Sequence, residues 1–265
     1  MHGTLGREKR LPFTRRALVL LLLTAAAAAA VFLRPAGLGA SQQPAASSPS
    51  PDAVLLDGFR HVEVASVSDA LEQLTGKKMY MTHRMRPIFP SRFAGHALTV
   101  LLKKEANHDP DALKGMLEAI DNGGPDSVYV MVVEDGNDIA GMGGLMGTAM
   151  SARNFSGAVI DGGVRDTAYL QKIGFPVYAL GVVPSTSVGH YRFAGSNLPG
   201  TCDGVAVNPG DFVVADPDGV VVVPNRVAPE VLRLARDLDF SEHSMYAHIE
   251  RLKSIEEAVK KFGRL

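Results

Sequence analysis

The chain contains no tryptophan and a single cysteine, Cys202. One thiol excludes an intrachain disulfide framework and any metal–thiolate cluster. No His-containing motif surrounds Cys202, so it reads as a small buried hydrophobe rather than a nucleophile. Aromatic residues make up 6% of a chain that is 46% hydrophobic, so aliphatic side chains must fill the core. Excess charge of one sign is also missing. The formal net charge is −1, and Lys and Arg are scattered rather than striped, so no nucleic-acid partner is expected. The glycine-rich stretches lack the Lys-Ser or Lys-Thr of a phosphate-binding loop, and they do not spell the dinucleotide fingerprint.

What is present falls into two kinds of sequence. In residues 1–40, Arg7, Lys9, Arg10, Arg15 and Arg16 precede the apolar run 17–33, and small residues follow near Ala40. Basic, apolar and small-residue regions in that order compose a secretory signal peptide. An uncleaved membrane anchor is the alternative, although the run is short of the ~20 residues of a spanning helix. Either way the protein is expected to be exported (periplasmic or secreted), or anchored, touching a membrane only through this segment. With six Lys or Arg and one Asp or Glu in residues 1–40, the remainder is mildly acidic, at a net −6. Residues 41–55, opening on "SQQPAASSPSPD", read as a disordered linker with little to bury. Residues 56–265 then read as one α/β domain.

Within that domain helices and strands alternate. The stretch 67–74 reads as a helix capped near Ser68 or Asp69, and 93–102 and 127–133 read as strands. Between those strands "DPDALKGMLEAIDNG" predicts a helix with Asp109 as cap, Pro110 in the first turn and Gly123 past its end. A strand "GAVID", a helix "RDTAYLQKIG" and a strand at 176–183 follow, which together argue for buried strands in an α/β core. In 205–224, two β-branched runs punctuated by Asn-Pro-Gly and Pro-Asp-Gly predict a hairpin. Met245, Ile249, Leu252, Ile255, Val259 and Phe262 recur at helical spacing and predict one closing helix with a packing face.

The stretch "GAVIDGGVRD" (157–166) carries an apolar strand into a cluster of charge. Strand ends that feed a helix are where open α/β sheets place ligands. Arg165 and Asp166 stand at that point, although an Asp cap beside a surface ion pair would look the same. Just upstream, Gly141, Gly143, Gly144 and Gly147 lead into a short helical pattern. Glycines ahead of a helix leave N–H groups that suit an anion, though a flexible turn would also use them. Together the segments offer an anion cradle, an Arg for a second oxygen, and an Asp able to hold a hydrated hard cation.

Residues 67–71 "VSDAL", 84–102 "RMRPIFPSRFAGHALTVLL", 141–146 "GMGGLM", 157–177 "GAVIDGGVRDTAYLQKIGFPV" and 195–224 "GSNLPGTCDGVAVNPGDFVVADPDGVVVVP" resemble the RraA-like family. That family holds the class II 4-hydroxy-4-methyl-2-oxoglutarate aldolases and the regulator of ribonuclease activity A. The resemblance implies a single swivelling β/β/α domain with C-terminal helices. It also implies a homotrimer or dimer of trimers with sites near subunit interfaces. By resemblance, Asp166 holds Mg²⁺ or Mn²⁺ and Arg165 contacts the keto-acid oxygen. The backbone at Gly143, Gly144, Leu145 and Met146 binds the carboxylate, and Arg165 and Asp166 are the catalytic residues. The expected substrate is a small 2-keto acid. Aldol cleavage and oxaloacetate decarboxylation both pass through the same pyruvate enolate, whose charge a divalent ion and Arg165 can stabilise.

One departure from the family stands out. The resemblance places an Asp twenty residues ahead of the Arg-Asp pair, where this chain has Gly144. A second family pattern has glycine there and an acid three residues after the Asp, where this chain has Tyr169. Asp161 and His190 are possible substitutes, or a turn-former and a loop residue respectively. The leading expectation is a metal-dependent lyase, and the alternative is a catalytically weak binding or regulatory protein that kept the fold.

Overall fold

The computed structural model of the protein describes residues 49–263. Residues 1–48 lie outside them, and with them the signal-peptide or anchor reading and most of the expected linker. Helix α1 (Pro51–His61) corrects the rest of that linker, because residues 51–55 are helical. Ser50 caps it by accepting from the Ala53 N–H at 3.1 Å, and Pro51 sits in the first turn, where no helical N–H is needed. Leu56 and Phe59 are buried on its inner face. Helix α2 (Val64–Thr75) begins before the expected Ser68 or Asp69 cap. Its first N–H, on Val64, is met at 3.0 Å by the carboxylate of Asp216, 152 residues away. No described helix is long and apolar enough to cross a membrane.

Strands β1 (Arg86–Pro87), β2 (Phe93–Lys104), β3 (Ser127–Val133), β4 (Ala140–Met142), β5 (Gly157–Val164), β6 (Val177–Val182) and β7 (Tyr191–Ser196) alternate with three helices. These are α3 (Lys114–Asn122), α4 (Gly144–Ala152) and α5 (Thr167–Lys172). A small hairpin, β8 (Gly200–Cys202) and β9 (Val205–Val207), precedes β10 (Phe212–Asp216) and β11 (Gly219–Val223), and the chain closes with α6 (Ala228–Leu252) and α7 (Ile255–Phe262). The main sheet runs β1-β6-β5-β3-β2-β10-β11, with β4 added to β5 and β7 to β2. β2, β3, β5 and β6 pair parallel, whereas β10 and β11 form the antiparallel hairpin that the Pro-Asp-Gly turn predicted.

Both faces of the sheet are covered, which is why its strands read as near-continuous apolar runs. Tyr129, Met131, Ala158 and Ile160 face α3, α4 and α5, together with Met150 and Leu170. Their strand neighbours Val128, Val130 and Val159 face the other way, onto Cys202, Val205 and Val207 of the β8–β9 hairpin. Val213 and Val222 join that second face, while Phe212, Val214, Val221 and Val223 pack under α1, α2 and α6. Cys202 is fully buried, and burial pushes its thiol well above its usual range, as an inert side chain requires.

Two helix ends differ from expectation. Asp109 does not cap α3, which starts at Lys114 after a turn over 110–113. Its carboxylate instead accepts from the Asp111 N–H at 2.9 Å and from Arg192 at 2.8 Å. The closing helix is two helices. Lys253 adopts φ 57°, and the Ser254 side chain accepts from the Glu257 N–H at 3.3 Å, starting α7 afresh. The Ser-x-x-Glu spacing of a capping box was the local sign of that break.

Candidate active site

The site is assembled by strand register. β4 and β5 are parallel, with Ala140 beside Gly163 and Met142 beside Val164, so both chains leave the sheet at the same end. Residues 143–144 therefore emerge beside 165–166, and the Arg165 N–H donates to the Met142 carbonyl at 3.1 Å. Asp166 adopts φ 59°, a left-handed conformation that Asp tolerates better than most residues. That turn carries its carboxylate back over the start of α4, where Oδ2 accepts from the Gly144 N–H at 2.9 Å. A Cβ at position 143 would lie 2.7 Å from the same oxygen, so glycine is required for the two segments to approach.

The N–H groups of Leu145 and Met146, in the first turn of α4, have no intrahelical acceptor, and Gly143 at the N-cap has no side chain to meet them, while Asp166 takes only the Gly144 N–H. They point an anion-binding end at the cleft. Arg165 Nε lies 3.9 Å from Asp166 Oδ2, and its Nη1 donates to the Ser185 carbonyl at 3.1 Å. Ser185 is itself clamped: its hydroxyl accepts from the Ala140 N–H at 2.9 Å and donates to the Asp138 carbonyl at 3.0 Å. Thus the loop after β6 fixes the guanidinium. Ser185 carried no local sequence signal, because its partners lie 20 to 47 residues away. The Asp166 and Arg165 side chains are about half exposed, so both are open to a ligand. A cleft of about 200 Å³ joins Gly143 to Met146, Arg165 and Asp166, and extends to Leu117 on α3 and to Val188.

Asp166 offers its remaining oxygen, Oδ1, without a hydrogen-bond partner among the described residues. One carboxylate oxygen is a donor set that suits an ion which keeps several of its own waters. A second group of possible ligands, Glu63, Asp239 and His243, lies on α6 and the turn before α2. There His243 Nδ1 lies 2.9 Å from the Asp239 carbonyl, and this contact holds the ring above its usual pKa.

Of the substitutes weighed for the missing acid, Asp161 is committed elsewhere. It sits in β5 on the face of Val159, where its carboxylate accepts from the Asp203 N–H at 3.0 Å. Burial pushes its carboxyl above the usual range and the charge of Asp203 adds to that, against the pull of the Asp203 N–H and Arg84. His190 is an exposed loop residue whose N–H donates to the Ser187 carbonyl at 3.1 Å and whose carbonyl accepts from Glu105. Tyr169 does stand at the site, with its hydroxyl 3.3 Å from the Thr148 hydroxyl and its ring beside Gly144.

Fold and cleft together define an α/β protein with a cleft at the carboxyl ends of its parallel strands, bordered by a helix start, a guanidinium and a carboxylate. Residues 64–222 match the model of the RraA-like family, described as Aldolase/RraA, and the chain belongs to that family. A protein of Halalkalibacterium halodurans named "Putative 4-hydroxy-4-methyl-2-oxoglutarate aldolase" is 30% identical over 190 residues, covering 67% of this chain and 80% of its own. A Deinococcus radiodurans protein of the same name is 37% identical over 101 residues, 37% of this chain and 62% of its own. Among solved structures, an uncharacterized protein from Pseudomonas syringae pv. tomato superposes with TM-score 0.72 at 28% identity, covering 78% of this chain and 93% of that one. Streptomyces coelicolor RraAS2, described as an unusual member of the RNase ES inhibitor RraA protein family, gives 0.65 at 25%, covering 77% and 98%. The expected mixed α/β fold of this family is thus the one observed.

Proposed function

We propose that the protein is a divalent-metal-dependent lyase that breaks a carbon–carbon bond near the carbonyl of a small 2-oxo acid. The reactions are 4-hydroxy-4-methyl-2-oxoglutarate cleavage, oxaloacetate decarboxylation, or both, through a pyruvate enolate. The observation that carries this reading is the Asp166–Gly144 hydrogen bond. It brings a carboxylate, a guanidinium and a helix start to one cleft. The names of the aldolase relatives support the same class.

In this reading the substrate carboxylate accepts from the Leu145 and Met146 N–H groups at the start of α4. That contact orients the molecule so that its carbonyl oxygen faces Arg165. As the bond breaks, its electron pair moves toward that oxygen, and the guanidinium held by the Ser185 carbonyl meets the developing charge without reorganising. Asp166 Oδ1 would hold Mg²⁺ or Mn²⁺, and a bound ion would supply further positive charge beside the same oxygen. No carboxylate stands at 144 or 169 to handle a proton, so aldol cleavage, which must take a proton from the substrate hydroxyl, is the harder of the two reactions. Decarboxylation needs only protonation of the enolate carbon, which water can supply. The reading includes assembly into a trimer or dimer of trimers, which rests on membership of the family.

The test is pyruvate release from both substrates with Mg²⁺, before and after exhaustive chelation. Metal-dependent turnover of either supports the reading, and activity that survives chelation rejects it. The absence of an acid at 144 and 169 favours a second reading, a binding protein without turnover. Ligand-dependent protection from thermal unfolding by oxalate, with neither substrate consumed, would select it.

A further inference from the structure

Where the family patterns have an acid, at 144 or at 169, this chain has a glycine and a tyrosine that fit each other. A Cβ at position 144 would lie 3.0 Å from Cδ1 of Tyr169, so bare backbone at 144 is what lets the ring stand there. The Tyr169 hydroxyl then meets Thr148, one turn into α4, with Oη 3.3 Å from Thr148 Oγ1. Thr148 has one hydroxyl proton. The Gly144 carbonyl, 2.8 Å away, can only accept and takes it. The longer contact is therefore made with the tyrosine proton, and what Oη has left to offer is lone pairs. Tyr169 and Thr148 line a recess beside the cleft, and Gly144, Leu145 and Asp166 border both. All of these contacts lie within one chain, and none rests on exposure at a subunit boundary.

We infer that Tyr169 recognises the leaving half of the substrate by its hydroxyl: Oη accepts from the C4 O–H of a 4-hydroxy-2-oxo acid. This rests on the ligand pose of the lyase reading above. The three substituents of the trigonal C2 carbon spread evenly in one plane. With the carboxylate on the Leu145 and Met146 N–H groups and the oxygen on Arg165, C3 has to leave on the side away from both. Arg165 is drawn toward the loop after β6 by the Ser185 carbonyl at 3.1 Å, and Thr186, Ser187 and Val188 continue that flank. The remaining flank is the recess of Thr148 and Tyr169, on the far side of Gly144 and Asp166. A carboxylate at 144 or 169 would be placed to take the hydroxyl proton. The phenol oxygen, whose own proton is engaged by Thr148, holds the hydroxyl in place instead. Tyr169 is thus a specificity-determining residue that separates 4-hydroxy-2-oxo acids from those without the hydroxyl.

The experiment is a cycle between two hydroxyls, one on the protein and one on the ligand. 2-Oxopentanoate and 4-hydroxy-2-oxopentanoate differ only in the C4 hydroxyl. Tyr169→Phe removes only the phenol oxygen and keeps the ring beside Gly144. Dissociation constants of both acids are measured by calorimetry for the full chain and the variant, with chelator present so that neither acid is consumed. The wild type should bind the hydroxy acid about three- to tenfold more tightly, the scale of one neutral hydrogen bond. Tyr169→Phe should erase that ratio and leave the affinity for 2-oxopentanoate within about twofold, which also shows that the site is folded. Val188→Ala, on the opposite flank, should leave the ratio as it is. A wild type without the preference overturns the inference, as does a preference that survives Tyr169→Phe. A ratio moved by Val188→Ala but not by Tyr169→Phe would place C4 on the other flank and overturn it as well. If neither acid binds, the pose fails and the inference falls with it. Pyruvate release from the hydroxy acid with Mg²⁺ reports separately on turnover: release without the hydroxyl cycle keeps the lyase reading and rejects this contact, and the cycle without release supports the contact and rejects the lyase.

Discussion

Asp161 and Asp166 stand five residues apart on one stretch of chain, and the fold gives them opposite tasks. Asp161 lies within β5 and is tied to the Asp203 N–H, in a cluster where the Asp203 carboxylate also takes the Thr82 N–H at 2.6 Å and Arg84 at 3.4 Å. Asp166 lies just past the strand, in a left-handed turn, half exposed, with one oxygen on the Gly144 N–H and the other free among the described residues. Strand alternation turns Asp161 toward the β8–β9 hairpin, away from α4 and α5. The reversal at Asp166 turns its carboxylate toward the cleft. Two residues of one type therefore differ in role because backbone direction decides which of them a ligand can reach.

The sharpest way to break this comparison is to neutralise each carboxylate in turn. Asp166→Asn keeps the shape, tolerates the left-handed turn and can still accept from Gly144, but removes the charge. Turnover with Mg²⁺ should fall on the order of a hundredfold or more if the charge holds the ion, with the melting temperature within a few degrees of wild type. Retained metal-dependent turnover would show that Asp166 is only a brace. Arg165→Lys keeps a positive charge but loses the planar fork. It should lower kcat on oxaloacetate by roughly ten- to a hundredfold with a smaller change in KM, and near wild-type kinetics would make Arg165 a purely structural partner of Ser185.

For Asp161 the expected effect is on stability. Asp161→Ala strands the Asp203 N–H, at a cost of about 1–3 kcal/mol in denaturant unfolding, partly offset by relief from the Asp203 charge. Turnover per folded molecule should be unchanged, so a selective loss of activity would move Asp161 into the catalytic set. Gly144→Asp sharpens the contrast from the other side. A Cβ there meets the Tyr169 ring at 3.0 Å and Asp166 Cβ at 3.4 Å, so the half-exposed tyrosine must shift by a few tenths of an ångström. If it does, aldol cleavage should rise by several-fold, more than decarboxylation does. A fall in both rates would mean that the cradle has closed.

The smallest effect is in pH dependence. The Asp161 carboxyl is raised in the folded state, so between its unfolded pKa, near 3.8, and its higher folded value the native chain holds more protons. Its contribution to stability is then full at the acid end of that window and is lost as pH rises through it. Asp161→Asn, which cannot ionise, should gain stability relative to wild type across that range. A difference that stays flat with pH would mean that the carboxyl is not perturbed.

Much of the scaffold was legible from residue order. The β-branched runs at 127–133, 157–161 and 212–223 are strands because buried sheets select them. The Gly-rich run before α4 and the Arg-Asp pair after β5 were both visible as loop chemistry. Failures cluster where a distant residue competes with a local one. Asp109 looks like a cap but is held by Arg192, 83 residues on. Asp216 provides an acceptor for the start of α2 that no neighbouring residue announces.

The sequence by itself thus determined which residues are apolar at strand and helix spacing, where glycine allows close approach, and that Arg165 and Asp166 sit where a strand meets a helix. These are properties of short stretches, governed by side-chain type and backbone freedom. The join between Gly143–Gly144 and Arg165–Asp166 and the clamp of Ser185 on Arg165 were decided only in the tertiary structure. Each depends on the parallel register of β4 with β5 or on how the loop after β6 meets Asp138 and Ala140 at the start of β4. Such contacts form between segments tens of residues apart, and hydrogen bonds across that separation leave no mark in the local pattern of either segment.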